Sequence, residues 1–179
     1  HLTPKRRLVG NHTVTKKFVH LHTHSDYSLL DGAISVKNIV KLAAEDGQPG
    51  VAITDHGTMA GTIQLFKHAN EAGITPIPGL EAYYVPDTAE IRRQKEEGLS
   101  VNRERFHMIL LATSDTGYKN LMRIQSEASL NNYHYKPLAD DALLEKYHEG
   151  IVATSGCLGS AVNKALMAGD FKEAMDIAG

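Results

Sequence analysis

Short apolar runs alternate with segments of helical periodicity along most of the chain. Extended runs are predicted at 18–22, 51–54, 74–77, 82–85, 106–112 and 151–155. Helices are predicted around 36–43, 63–69, 118–125 and 142–147, and two short helices close the chain. Ser35 is placed to cap the first helix, Gly73 to stop the second, and Asp170 with Glu173 to open the last. The alternation predicts an α/β fold with a mainly parallel sheet.

Repetition of the strand and helix pattern further predicts a (β/α) barrel, in which active residues lie where strands end. Such a barrel usually takes about 250 residues, so a chain of 179 residues predicts an incomplete one. Residues 1–17 are polar and basic without periodicity, and we expect a flexible N-terminal extension there. Residues 18–179 are expected to form one domain.

Composition narrows the class of protein. A hydrophobic content of 42% is that of one globular domain with a core. A net charge of −2 is not that of a domain that grips duplex DNA by itself. The single cysteine, Cys157, favours a reducing compartment, and no apolar run is long enough to span a bilayer. We therefore expect a cytoplasmic protein without a membrane role.

Ten histidines against no tryptophan direct attention to metal binding. His22 and His24 are two apart at the end of the first predicted strand, so both imidazoles can approach one metal ion. His20 is in phase with them and is interpreted as a supporting or core residue. Asp31, before Gly32, is equally a turn residue or a metal ligand on local grounds.

Other candidates also lie near predicted strand ends. His56 follows the strand 51–54, with Asp55 beside it as a possible orienting partner. Glu81 is a carboxylate in an apolar setting, where a nearby cation would offset the cost of burial. Cys157 follows the strand 151–155. His107 stands at the start of its strand, which counts against a barrel-mouth position and leaves a half-buried strand histidine as an equal alternative.

Convergence of these residues would form a site for zinc, manganese or iron. Because one metal can activate water while another stabilises a leaving oxygen, phosphoester hydrolysis is the predicted reaction class. The serine-hydrolase elbow, the phosphate loop and the dinucleotide fingerprint are absent from the sequence. A cysteine and histidine nucleophilic enzyme is a weaker alternative, since it leaves the other histidines unexplained.

The stretch 91–105 is dense in both charges. A solvated helix and loop is the favoured interpretation, and contact of Arg103 and Arg105 with phosphate is the minority alternative.

Several segments together resemble the PHP (polymerase and histidinol phosphatase) family, in the form that begins bacterial DNA polymerase III alpha subunits. They are FVHLHTHSDYSLLDG, AITDHGTMAG, AGITPIPGLEAY, FHMILLATSDTGYKNL and GIVATSGCLG. The resemblance implies a distorted seven-stranded (β/α) barrel holding up to three divalent metals. The implied ligands are His22, His24, Asp31, His56, Glu81, His107 and Cys157, with catalytic roles for Asp31, His56 and Glu81.

The resemblance also implies a function. In family members with a full ligand set, the domain is similar to a metal-dependent 3′–5′ exonuclease that proofreads for an attached DNA polymerase. The implied partners are the 3′ end of a DNA primer, the remainder of the polymerase and other replisome subunits. A small-molecule phosphatase of the histidinol-phosphatase type and a non-catalytic scaffold stay open as alternatives. The family's later D-x-H motif does not occur before Gly179, so we expect an incomplete metal site.

Overall fold

A computed structural model of the chain describes residues 18–101 and 104–178. The predicted extension 1–17 lies outside this part. The helices are α1 (Val36–Glu45), α2 (Thr62–Ala72), α3 (Thr88–Glu96), α4 (Asp115–Leu130), α5 (Asp141–Tyr147), α6 (Ala161–Ala168) and α7 (Phe171–Ala178). The strands are β1 (Gly50–Ile53), β2 (Thr75–Tyr84), β3 (Phe106–Ala112), β4 (Tyr133–His134), β5 (Lys136–Ala139) and β6 (Ile151–Thr154).

The strands of the described part form a mixed sheet in the order β4-β5-β2-β3-β6, with β1 also paired to β2. β2 is parallel to β1 and β5, but β3 is antiparallel to both β2 and β6. The predicted α/β class is confirmed, whereas the prediction of a mainly parallel sheet is wrong. One consequence of the antiparallel β3 is that its first residues lie beside the last residues of β2.

The predicted first strand at 18–22 does not form a regular strand. The segment runs beside β1, where the amide of Ala52 donates to the carbonyl of His20 at 2.9 Å and the amide of Thr54 donates to that of Thr23 at 2.9 Å. These bonds hold the segment against the sheet without a continuous ladder.

β2 is one ten-residue strand, although two shorter pieces were predicted around Pro78 and Gly79. The amide of Thr75 donates to Pro49 and that of Glu81 donates to Asp55, so odd-numbered residues turn their amides toward β1. Pro76 and Pro78 therefore face the other edge, where pairing with β3 begins only at Gly79. Because no ladder bond is required at these two positions, the prolines are tolerated.

Apolar side chains pack helices α1, α2, α4 and α5 onto one face of the sheet. α1 and α2 cover β1 through Val36, Val40, Leu65 and Ala69, which are all buried. A second group joins α4 and α5 to β2 and β3, and its members are Leu80, Leu110, Leu121, Ile124 and Leu143. Glu81 and His107 alternate with these core residues along β2 and β3, so they point to the opposite face of the sheet, where the candidate site lies.

Helix ends follow the predicted capping residues. The side chain of Ser35 accepts a hydrogen bond from the amide of Asn38, and α2 ends at Gly73 with a φ of 72°. The carboxylate of Asp170 accepts from the amide of Glu173 at 2.8 Å. Sequence reasoning missed the hairpin of β4 and β5, since its strands are too short to show an apolar period. In the part of the chain that the structure covers, no helix has both the length and the apolar character to cross a membrane.

Candidate metal centre

Seven side chains predicted as metal ligands gather at one end of the sheet. His56 follows β1, Glu81 lies in β2, His107 begins β3 and Cys157 follows β6. His22, His24 and Asp31 come from the segment that precedes α1. The antiparallel β3 explains the position of His107, because its neighbour across the sheet is Tyr83, near the end of β2.

Glu81 lies at the centre of this cluster, and its side chain is only 1% exposed. Its Oε2 atom is 2.8 Å from Nε2 of His22 and also contacts Nε2 of His24. Its Oε1 atom is 2.7 Å from Nδ1 of His107 and 4.0 Å from the sulfur of Cys157. One buried carboxylate thus contacts groups from three separate segments of the chain.

Asp31 is the second carboxylate of the cluster, and half of its side chain is exposed. Its Oδ2 atom is 2.7 Å from Nε2 of His56 and 3.2 Å from Nδ1 of His24. The carboxylates of Glu81 and Asp31 therefore both lie near the imidazoles of His24 and His56. Ligands shared in this way are suited to binding two neighbouring metal ions.

Cys157 joins the cluster where the backbone of Gly159 passes close to the side chains of Cys157 and His107. Its sulfur is 3.5 Å from Nδ1 of His107 and accepts a hydrogen bond from the amide of Gly159 at 3.3 Å. A Cβ atom on Gly159 would lie 3.3 Å from that imidazole nitrogen. A larger residue at position 159 would thus crowd the imidazole and the thiol.

The protonation of the cluster suits cation binding. Burial opposes ionisation of Glu81, but hydrogen bonds with His22 and His24 outweigh it, so the pKa of Glu81 lies below its usual value. Desolvation also opposes ionisation of Asp31, but hydrogen bonds and charge interactions with His56 and His24 together outweigh it, so the pKa of Asp31 is lowered too. Burial lowers the pKa of His107, although the nearby Glu81 carboxylate opposes the shift. Ionised carboxylates and a neutral imidazole are the forms that bind metals.

The donor set fits one or more divalent metal ions. Three groups of ligand atoms each lie within 4.8 Å of one another: His22, His24 and Glu81; His24, Asp31 and His56; and His56, Glu81 and His107. The Nδ1 atom of His56 is buried and has no hydrogen-bond partner among the described residues. Such an orphaned nitrogen beside a buried carboxylate is expected where a cation completes the site. Nitrogen, oxygen and sulfur donors suit zinc, manganese or iron.

Asp55 supports the cluster by a different route from the one predicted. Its carboxylate accepts hydrogen bonds of 2.7 Å from the amide and hydroxyl of Ser25 and from the hydroxyl of Ser28, rather than from the imidazole of His56. The hydroxyl of Ser28 in turn accepts from the amide of His56 at 3.1 Å. Asp55 thus fixes the loop that leads to Asp31.

Two other predicted residues have contacts outside the cluster. The ring of His20 packs edge-on against Phe18 at 4.8 Å, and within residues 18–101 and 104–178 no hydrogen bond links that ring to the cluster. The Nη2 atom of Arg105 donates to the carbonyl of His134 at 2.7 Å, so this guanidinium braces the hairpin. Arg103 lies outside the described residues.

Sequence reasoning missed Tyr83 as a neighbour of the cluster. Its ring stacks on His56 at 5.9 Å and meets His107 edge-on at 5.5 Å. The available signal was spacing, since residues two apart on a strand share a face and Tyr83 is two residues after Glu81.

The chain resembles proteins of a known family in sequence. The sequence profile of the PHP domain family matches residues 20–179. The DNA polymerase III subunit alpha of Deinococcus radiodurans is 45% identical over 158 residues, which cover 86% of this chain and 12% of that protein. The same subunit of Borreliella burgdorferi is 40% identical over 158 residues, which cover 88% of this chain and 13% of that protein. The chain thus spans about an eighth of the length of these relatives.

Solved structures give more distant likenesses. An amidohydrolase from Chromobacterium violaceum has a TM-score of 0.41 at 23% identity, covering 61% of this chain and 34% of that one. A protein assigned as a metal-dependent phosphoesterase from Bifidobacterium adolescentis has a TM-score of 0.40 at 20% identity, covering 88% and 52%. The family match and the polymerase relatives confirm the resemblance predicted from the sequence.

Proposed function

The chain belongs to the PHP domain family, and from this premise we propose that it is a metal-dependent phosphoesterase domain that removes nucleotides from the 3′ end of DNA. The observation that supports this proposal best is the gathering of four imidazoles, a thiol and Asp31 around the buried carboxylate of Glu81. A carboxylate with so little exposure requires positive charge nearby. Divalent cations supply that charge and also the chemistry that phosphoester hydrolysis needs.

Each ligand group has a distinct role in the proposal. His22, His24, His107 and Cys157 would hold cations against Glu81, while Asp31 and His56 would hold a cation beside Asp31, the more exposed of the two carboxylates. When bound, the metals polarise a phosphoryl oxygen and lower the pKa of a water molecule. We assign catalytic roles to Asp31, His56 and Glu81, since Glu81 and His56 each belong to two of the three ligand groups and Asp31 is the more exposed carboxylate.

The polymerase context supplies the substrate. Relatives at 40–45% identity are DNA polymerase III alpha subunits, about eight times the length of the matched region. We propose that this domain works within such a DNA-directed DNA polymerase, in the cytoplasm, beside the remainder of the polymerase and other replisome subunits. A hydrolase attached to an enzyme that extends 3′ ends meets those ends at high effective concentration. Proofreading in the 3′ to 5′ direction is the activity that this proximity favours.

The direct test is exonuclease activity of the purified domain in the form that also contains the family's later D-x-H motif. Protein stripped of metal is loaded with manganese or zinc, its metal content is measured by elemental analysis, and it is incubated with single-stranded DNA labelled at the 5′ end. We expect a ladder of products shortened stepwise from the 3′ end, and we expect a chelator to abolish it. Intact DNA in the presence of confirmed bound metal would contradict the proposal.

A matched pair of variants assigns the activity to the cluster. Replacing His22 and His24 by alanine should abolish both metal binding and shortening, whereas His68→Ala, on α2 and outside the cluster, should leave both unchanged. Hydrolysis of a small phosphomonoester with intact DNA would instead indicate a small-molecule phosphatase. Bound metal that stabilises the fold without any hydrolysis would indicate a scaffold.

A further inference from the structure

We infer that the hairpin of β4 and β5 is a binding site for single-stranded nucleic acid beside the metal cluster, where Tyr135 stacks on a base and Lys136 holds a phosphate. This inference rests on the proposed function and deepens it, because it names the side chains that would hold the strand next to the reacting phosphate.

Ring contacts connect the hairpin to the cluster. The Nζ atom of Lys136 lies 5.1 Å from the centre of the Tyr83 ring, in a cation–π contact. That ring stacks on His56 with an interplanar angle of 16° and meets His107 edge-on. A single aromatic ring therefore separates the ammonium group from two proposed metal ligands. In a bound nucleic acid strand, a phosphate held by Lys136 would therefore be the neighbour of the phosphate at the metal site.

The hairpin is fixed in this position from two sides. Arg105, two residues before His107, donates to the carbonyl of His134 at 2.7 Å. On the other side, Pro137 packs against Gly57, where a Cβ atom would lie 2.9 Å from the proline ring and 3.0 Å from the Tyr83 ring. Gly57 also has a φ of 61°, so this close approach depends on glycine. The hairpin is thus a rigid extension of the metal site.

Exposed aromatic rings on the hairpin give it a surface for bases. Tyr133 is 61% exposed and Tyr135 is 60% exposed. Tyr135 adopts a φ of 61°, a left-handed conformation that is uncommon for a residue with a bulky side chain, and its ring meets His134 edge-on at 4.7 Å. A base–aromatic stack accepts any base, because every base has a π face. Two exposed tyrosines beside a lysine are the combination that single-stranded nucleic acid binds.

The charge of Lys136 is available for a phosphate. In the part of the chain that the structure describes, no carboxylate forms an ion pair with Lys136, and its described contact is with the Tyr83 ring. A small phosphate ester would use only this charge, whereas a nucleic acid strand would use the charge and the tyrosine ring together. Because Tyr135 and Lys136 are adjacent on the hairpin, we expect it to prefer a nucleic acid strand to a small phosphate ester.

The test measures binding apart from hydrolysis. Fluorescence anisotropy with a labelled oligothymidylate of about eight nucleotides, in a chelator so that no cleavage occurs, gives the affinity of the 179-residue chain at several salt concentrations. Tyr135→Ala should weaken binding about tenfold with an unchanged salt dependence, and Tyr135→Phe should restore it. Lys136→Gln should lower the slope of log affinity against log salt by about 0.7, the value for one phosphate contact on a single strand.

Lys119→Gln is the matched control, since it makes the same change of charge on α4, after the far end of β3. Equal binding by wild type, Tyr135→Ala and Lys136→Gln would overturn the inference, and so would an equal change of slope in Lys119→Gln. Hydrolysis of bis(p-nitrophenyl) phosphate by metal-loaded protein is measured in parallel. If this hydrolysis is absent, only the proposed function is contradicted. If hydrolysis is retained but both variants bind the oligonucleotide as wild type does, only the role of the hairpin is contradicted.

Discussion

The two ends of the sheet differ in chemistry although the same strands build both. At the end where β2 finishes and β3 begins, imidazoles, carboxylates and a thiol meet with little space between them. At the opposite end a cavity of about 540 Å³ has a largely apolar lining, formed in part by Leu21, Phe66, Ile77, Pro78, Leu111 and Val152. This apolar cavity is therefore not where the candidate chemistry lies, in contrast to the usual expectation for enzymes.

This difference follows from how the residues are distributed along each strand. β3 carries His107 at its start and Leu111 near its end, and β2 carries Pro78 before Glu81. Substitutions at the two ends should consequently separate metal binding from the stability of the fold.

The largest effect is expected at the polar end, from Glu81→Gln. The neutral amide keeps the shape of the side chain but removes the charge that the cluster surrounds. We expect metal affinity to fall by more than about a thousandfold, beyond the 10- to 100-fold that loss of a supporting contact usually costs. Isothermal titration with zinc or manganese measures this change. In wild type the metal should also raise the melting temperature, and an equal rise in Glu81→Gln would contradict the central role of this carboxylate.

A smaller effect, on both stability and metal binding, is expected from Asp55→Ala. Its removal leaves the buried hydrogen-bonding groups of Ser25 and Ser28 without their acceptor, and we expect the free energy of unfolding to fall by about 3 kcal/mol. Because the loop to Asp31 loosens, metal affinity should fall about 10- to 100-fold. Urea denaturation and metal titration measure the two effects. Asp26→Ala, an exposed neighbour in the same loop, is the control and should change neither.

The smallest effect is expected at the apolar end, from Leu111→Ala. This side chain is buried but already borders a cavity, so we expect the free energy of unfolding to fall by about 2 kcal/mol, at the low end for such a truncation. Metal affinity should stay that of wild type, while Leu111→Met, which keeps the volume, should lose less stability. A loss of metal affinity in Leu111→Ala that matches its loss of stability would show that the two ends are coupled.

The elements predicted well from the sequence are those whose causes are local. α1 begins at its predicted cap because the hydroxyl of Ser35 and the apolar spacing after it act within a few residues. The gathering of the ligands depends instead on strand direction, which no residue pattern in β3 reveals. In a parallel sheet, the start of β3 would lie away from the ends of the other strands, so the sequence argued against His107 as a metal ligand. Because β3 is antiparallel, its start lies beside the end of β2, and His107 joins the cluster.

Other differences arise from pairing between distant segments. The prolines of β2 suggested two short pieces, but their missing amides face an edge where β3 has not yet begun. Asp55 was predicted to orient its neighbour His56, yet its partners are Ser25 and Ser28, about thirty residues earlier in the chain. Tyr83 and Lys136 meet only because β5 lies beside β2. Each of these contacts is set by tertiary structure rather than by neighbours in sequence.

The two carboxylates of the cluster differ in exposure and in how their backbones are bonded, and this has a consequence for ion selectivity. Both backbone groups of Glu81 are bonded to the segment that follows β1, since its amide donates to Asp55 and its carbonyl accepts from Gly57. Asp31 instead follows Leu30, which is fully exposed and has a φ of 89°. We therefore expect cations of different radius to be accommodated by adjustment of the exposed Asp31 side chain, while the distances set by Glu81 stay constant.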